Sequence, residues 1–132
     1  MEEYACAILL DGNRLLLGRR SAHRRAYAGC WDVIGGRVEP GEALHAALAR
    51  ELEEELGIAP TQYRPLVALR DTTQRGEATY HFFTVTAWRG GAPAIRDDEH
   101  SELGWFTVDE ACALDGLAIE EYRMLFRTLG LA

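Results

Sequence analysis

The sequence predicts an α+β domain, a mixed β-sheet with helices packed on it. Strand-like and helix-like hydrophobic patterns interleave along the chain, so sheet and helices belong to one packed unit. A tight-turn signal, Asp11-Gly12-Asn13, joins two apolar runs near the start, so the sheet is not purely parallel. A third segment, Ala43 to Leu56, sets leucines at helical spacing beside a run of glutamates.

Taken in order, Tyr4 to Leu10 is apolar on both alternating faces and predicts a strand buried on both sides. Arg14 to Gly18 reads as its hairpin partner, and Ser21 to Gly29 as a polar, Arg-rich loop. Trp31 to Ile34 is short and apolar and runs into Gly35-Gly36. Helix signals begin at Pro40-Gly41-Glu42 and stop at Gly57, a C-terminal cap residue. Tyr63 to Leu69 and Thr79 to Trp88 follow as strands, separated by the polar segment Asp71 to Glu77. After the turn at Gly90-Gly91-Ala92-Pro93, Leu103 to Phe106 predicts a short strand and Val108 to Leu114 a short helix. A last helix over Leu117 to Leu129 places Tyr122, Leu125, Phe126 and Leu129 on one face.

The 132 residues suit a single domain, 1–132, and a 48% apolar, 27% charged composition is that of a folded chain. No apolar run approaches the roughly 18 residues of a membrane span, so no membrane partner is expected. The start, Met1-Glu2-Glu3-Tyr4, lacks the basic opening of a secretory signal, and the expected location is cytoplasmic. A net charge of −7 argues against duplex nucleic acid on a basic face. Cys6, Cys30 and Cys112 form no C-x-x-C pair, which disfavours both a disulfide framework and a zinc cage.

Within the acidic helix, Leu44, Leu48, Leu52 and Leu56 make one stripe, and Glu51, Glu54 and Glu55 at i, i+3 and i+4 converge on one flank. Glu55 points between Leu44 and Leu48, toward the core. Like charges at this spacing repel by about 0.2 to 0.5 kcal/mol per pair. Carboxylates in a last turn oppose the helix dipole by about 0.3 to 1 kcal/mol each. A solvated acidic face accounts for Glu53 and not for Glu55. A hard divalent cation bound by carboxylate oxygens relieves all of these costs together.

Gly36, five residues, Glu42, seven residues, then Arg50-Glu51-Leu52-Glu53-Glu54-Glu55-Leu56-Gly57-Ile58 fills every fixed position of the pattern G-x5-E-x7-R-E-U-x-E-E-x-G-U. In this the chain resembles the Nudix family. The resemblance implies a mixed sheet sandwiched between helices, and water attack on a diphosphate linkage in a nucleoside diphosphate joined to another group. It implies Mg²⁺, or Mn²⁺, held by Glu51, Glu54 and Glu55, with a carbonyl of Gly35 or Gly36 close to the metal. Glu42 is structural first and a metal neighbour second. Arg50 either positions a catalytic glutamate or makes an ordinary surface ion pair.

Glu99-His100-Ser101-Glu102-Leu103-Gly104-Trp105-Phe106 resembles the family segment that supplies a further acid. Glu99 is the best match for a metal ligand or general base, with Asp97, Asp98 and Glu102 as competitors. Glu51 is the rival and favoured base, because a helix positions a group more rigidly than a loop. His100 reads as a surface residue, and His23, His45 and His81 lack metal-ligand spacing.

Substrate class is less determined. Thr73-Gln74-Arg75-Gly76 lacks the Pro or Tyr that resemblance ties to ADP-ribose or dinucleoside polyphosphates. The expected partner is a small nucleotide, a nucleoside triphosphate or an oxidised guanine nucleotide. Nucleotide sugars, dinucleotides and a non-catalytic ligand sensor are the alternatives. An isomerase of the same fold would have only Cys30 as a nearby catalytic candidate. Tyr27, Trp31, Tyr80 and Phe82 can stack a base or serve as core. Arg19, Arg20, Arg24 and Arg25 can grip phosphates or remain solvated. A homodimer is left open.

Overall fold

The first strand, β1 (Glu2–Asp11), is the axis of the sheet. Its side chains alternate, so that Cys6 and Ile8 enter one core while Ala5, Ala7 and Leu9 enter another. These relations come from a computed structural model of the protein, which describes residues 2–73 and 76–131. Gln74 and Arg75, central to the stretch read for substrate class, lie outside the described residues.

On one side β1 pairs in parallel with β6 (Gly76–Arg89), from Glu2↔Ala78 to Leu9↔Val85. β5 (Ala59–Thr73) pairs antiparallel with the outer edge of β6. The other side of β1 is shared. β2 (Arg14–Arg20) holds only Leu10↔Leu15 and Asp11↔Arg14, while β4 (Ile34–Arg37) takes Tyr4 to Ala7 in antiparallel register. β2 then leaves to pair with β3 (Trp31–Asp32) and with β7 (His100–Thr107), both antiparallel. The sheet is mixed, as the sequence predicts.

Helix α1 (Leu44–Leu56) covers one face, where Ala47, Leu48, Leu52 and Leu56 pack with Leu16, Ile34, Phe83 and Val85. Gly57 closes it in the left-handed region at φ 69°. Helices α2 (Val108–Cys112) and α3 (Tyr122–Arg127) lie over the other face, where Tyr122, Leu125 and Phe126 meet Ile8, Leu15, Leu17 and Phe82. Full burial contributes about 1.5 to 3 kcal/mol for each side chain such as Leu52 or Phe126. The sheet is thus sandwiched between helices. Among the described residues no helix is long and apolar enough to cross a membrane.

Several boundaries differ from the sequence expectation. The polar segment Asp71 to Glu77 does not interrupt the hairpin, which stays paired through Thr72↔Glu77 and Thr73↔Gly76. Ladder hydrogen bonds join backbone groups and need no apolar side chains there. The first helix starts at Leu44, after Glu42. The last helix starts at Tyr122, because the chain before it is committed to β3: Trp31 N–H donates to Gly116 O at 2.6 Å and Ala118 N–H to Trp31 O at 2.8 Å.

Candidate active site

Two turns of α1 bring a pair of carboxylates against the sheet. Glu51 and Glu55 lie one above the other at i and i+4, and both are buried, Glu55 to 2% exposure. Glu54, about 100° around the helix from Glu55, is exposed and stands 3.4 Å from Arg50. The expected convergence of three glutamates is therefore a buried pair with a third at the rim.

Space for this pair comes from β4. A Cβ on Gly36 would stand 2.4 Å from the Glu51 carboxyl carbon, and one on Gly35 would stand 2.2 Å from the Ala5 carbonyl oxygen. Gly36 therefore admits the carboxylate and Gly35 admits the neighbouring strand, which gives both a packing reason of their own.

Glu55 faces an electrostatic problem. Neither of its oxygens has a hydrogen-bond partner among the described residues. Burial, then the Glu99 and Glu51 carboxylates beside it, push its carboxyl well above the usual range. Burial also raises Glu51, against the opposing pull of its neighbours Glu55 and Arg50. His100 Nδ1 lies 3.6 Å from Glu55 Oε1, and burial lowers this imidazole's pKa, which favours the neutral ring. Glu55, Glu99 and His100 each offer a ligand atom within 4.8 Å of the others. A buried carboxylate with no partner is costly, and a cation beside it removes that cost, so the residues present fit a divalent metal.

Arg50 braces Glu51. Its Nε and Nη2 fork onto Glu42 at 2.9 and 3.0 Å, Nη1 donates to Glu51 Oε1 at 2.8 Å, and Nη2 also donates to Arg37 O at 2.9 Å. One guanidinium thus ties the approach to α1, strand β4 and Glu51 together. The Arg50 fork and the Glu39 backbone N–H hold the Glu42 carboxyl down to about 2. Both Glu42 oxygens are engaged in this way.

Glu51 and Glu99 line a cleft of about 750 Å³. Gly35, Gly36, Tyr80, Arg20, Arg24 and Arg25 share its wall. Glu99 is paired with Arg24 at 3.4 Å, whereas Glu102 is paired with Arg19 at 3.2 Å and Asp98 is exposed. Four expected substrate contacts lie elsewhere. Tyr27 and Phe82 are buried in the core, and Trp31 packs edge-on against Phe106 at 5.1 Å between centroids. Arg19 binds Glu102 and the Gly29 carbonyl. Their apolar or paired surroundings account for them without a ligand.

The sequence model of the NUDIX domain matches residues 2–128. The chain belongs to the Nudix family. This Nudix hydrolase is 36% identical over 112 residues to the CTP pyrophosphohydrolase of Escherichia coli (strain K12), covering 84% of this chain and 79% of that relative. It is 27% identical over 137 residues to nucleoside triphosphatase NudI of Enterobacter sp. (strain 638), covering 96% and 94%. Among solved structures, the MutT NUDIX hydrolase from Burkholderia pseudomallei superposes with a TM-score of 0.83 at 29% identity, covering 97% of each chain.

Sequence reasoning missed three features in and beside the Nudix hydrolase's cleft. His100 is buried rather than on the surface, because its ring sits over Gly18 of β2, where a Cβ would come within 2.6 Å of the ring. Asp32 is buried in the cleft wall, accepting from Tyr122 Oη at 2.5 Å and Val33 N at 2.9 Å, with Arg20 Nη1 at 3.7 Å. Tyr4 stacks on Tyr80 at 5.1 Å, and both rings belong to the wall. A lone acid inside the apolar run Trp31 to Ile34 was the one local signal for Asp32.

Proposed function

We propose that this Nudix hydrolase is a Mg²⁺-dependent, or Mn²⁺-dependent, nucleoside triphosphate pyrophosphohydrolase that releases a nucleoside monophosphate and pyrophosphate. The observation that carries the reading is the buried, unpartnered Glu55 beside Glu51 and Glu99 at a cleft of nucleotide size. An acidic wall repels a triphosphate unless a cation is present, and Glu51, Glu55 and Glu99 are the residues that would hold it. When bound, Mg²⁺ supplies neutralising charge for the phosphate oxygens.

The protein's own groups do the rest. Water attacks phosphorus, the anhydride P–O bond breaks, and the proton passes to a carboxylate. Glu51 is the proposed base, since Arg50 fixes its orientation through Oε1. Arg24 and Arg25 face the polyanion. Tyr4 and Tyr80 offer aromatic surface to a base.

Relatives that act on CTP and on nucleoside triphosphates support this class, and oxidised guanine nucleotides belong within it. A cytoplasmic nucleotide pool is the proposed source of substrate. The test is a panel of canonical and oxidised nucleoside triphosphates, nucleotide sugars and dinucleotides with Mg²⁺, scoring pyrophosphate against phosphate. Pyrophosphate from triphosphates is expected. Turnover of nucleotide sugars or dinucleotides alone overturns the substrate class, and binding without turnover makes the protein a sensor.

A further inference from the structure

We propose that His100 is itself a ligand of the cation, which gives this enzyme a mixed nitrogen–oxygen metal site rather than an all-oxygen one. The inference rests on the reading of the Glu55 cluster as the metal site of the hydrolase, and it deepens that reading.

Distance makes the first argument. His100 Nδ1 lies 3.6 Å from Glu55 Oε1, too long for a hydrogen bond. Two ligands of one tetrahedral ion at about 2.1 Å each are separated by about 3.4 Å, and trans ligands of an octahedral ion by about 4.2 Å. The Glu55, Glu99 and His100 donor atoms lie within 4.8 Å of one another, so a shared ion needs the longest separation to close by only about half an ångström.

Satisfaction makes the second. The Glu55 carboxylate is fully enclosed and both its oxygens are unpartnered. An imidazole placed to orient Glu55 would hydrogen-bond it directly. This ring instead presents Nδ1 toward the carboxylate without bonding it.

The third argument is how the ring is held. It packs over Gly18, where a Cβ would come within 2.6 Å of Cδ2, and its residue opens β7 opposite Arg20 of β2. Glu99, the preceding residue, comes from the loop entering that strand, so one short segment delivers both donors to Glu55 on α1. Nitrogen ligation has a selectivity consequence: imidazole favours Co²⁺ and Zn²⁺, whereas Mg²⁺ prefers oxygen.

The full chain is loaded with Mn²⁺ in the absence of substrate and examined by electron spin-echo spectroscopy for the ¹⁴N coupling of a bound imidazole. Co²⁺ and Mg²⁺ affinities are measured by calorimetry for wild type and His100→Gln. The coupling is expected in wild type and absent from the variant, with Co²⁺ affinity falling about 10-fold or more and Mg²⁺ affinity about 3-fold or less. An all-oxygen Mn²⁺ signal in the wild type overturns the inference without needing the variant to fold, and it leaves the hydrolase reading intact. Equal weakening of both ions makes His100 a positioning residue and also overturns it. Failure of the wild type to bind Mn²⁺ at all removes the hydrolase metal site together with the inference.

Discussion

A single guanidinium holds the Glu51 carboxylate in place. Arg50 spans Glu42, Arg37 O and Glu51, a planar fork that an ammonium on a flexible stem does not reproduce. Arg50→Lys keeps the charge and is expected to lower kcat about 10-fold or more with a smaller change in KM, because a misplaced catalytic group is expensive. Steady-state kinetics equal to wild type would reduce Arg50 to a surface ion pair. The base assignment is tested the same way. Glu51→Gln, assayed at saturating metal and substrate, is expected to lose about 10²- to 10⁴-fold in kcat and to flatten the acid limb of the pH–rate profile. Glu99→Gln is expected to weaken metal binding with a smaller loss in kcat. If the flattened limb belongs to Glu99→Gln, the two roles exchange. At this scale Glu55 was legible, since an acid inside a leucine stripe has no ordinary explanation. His100 and Asp32 were not, because their surroundings come from distant segments: Gly18 for one, and Tyr122, 90 residues away, for the other.

Elements whose signals are local were readable, and those fixed by competition were not. Leucine periodicity and Gly57 set the body and end of α1, and the two-faced apolar run set β1. The extent of the β1–β2 pairing was not readable, because Asp11-Gly12-Asn13 fixes only the adjacent pairs while β4 claims the rest of that edge. Likewise α3 loses its first residues to the bridge at Trp31, a contact that no helical pattern encodes. The start of α2 was encoded more fully than its short apolar run suggests. Thr107 Oγ1 accepts from Glu110 N at 3.2 Å, and Glu110 Oε1 accepts from Thr107 N at 2.8 Å, a reciprocal cap. Thr107→Ala removes one arm and is expected to cost about 1 kcal/mol, a fall in Tm of roughly 4 °C. The acidic cluster lies outside this cap, so kcat is expected to stay within about twofold of wild type at 25 °C. A large loss of activity at unchanged Tm would tie α2 to the cleft instead.

For the molecule as a whole, the acidic cluster sets stability against function. The chain carries a net charge of −7, and at Glu51, Glu55 and Glu99 it gathers carboxylates that the described residues leave incompletely compensated. Folding without metal brings these groups together at a cost, and the cost is recovered when a cation binds only the folded state. A ligand at 100 times its dissociation constant adds about 2.7 kcal/mol, which for a domain of this size is a rise in Tm of roughly 10 °C. Chelation with EDTA is expected to reverse the rise. Glu55→Gln separates the two halves of the argument, because the amide keeps the shape of the side chain and removes its charge. Melted at pH 7 without metal, the variant is expected to be more stable than wild type, since a buried unpartnered acid has been replaced by a neutral group. With millimolar Mg²⁺ its Tm is expected to move little, so the order of the two proteins reverses. A wild type indifferent to Mg²⁺ and Mn²⁺, together with a variant that still melts higher, would mean that the cluster is strained but holds no metal. Equal metal-induced rises in both proteins would place the ion away from Glu55.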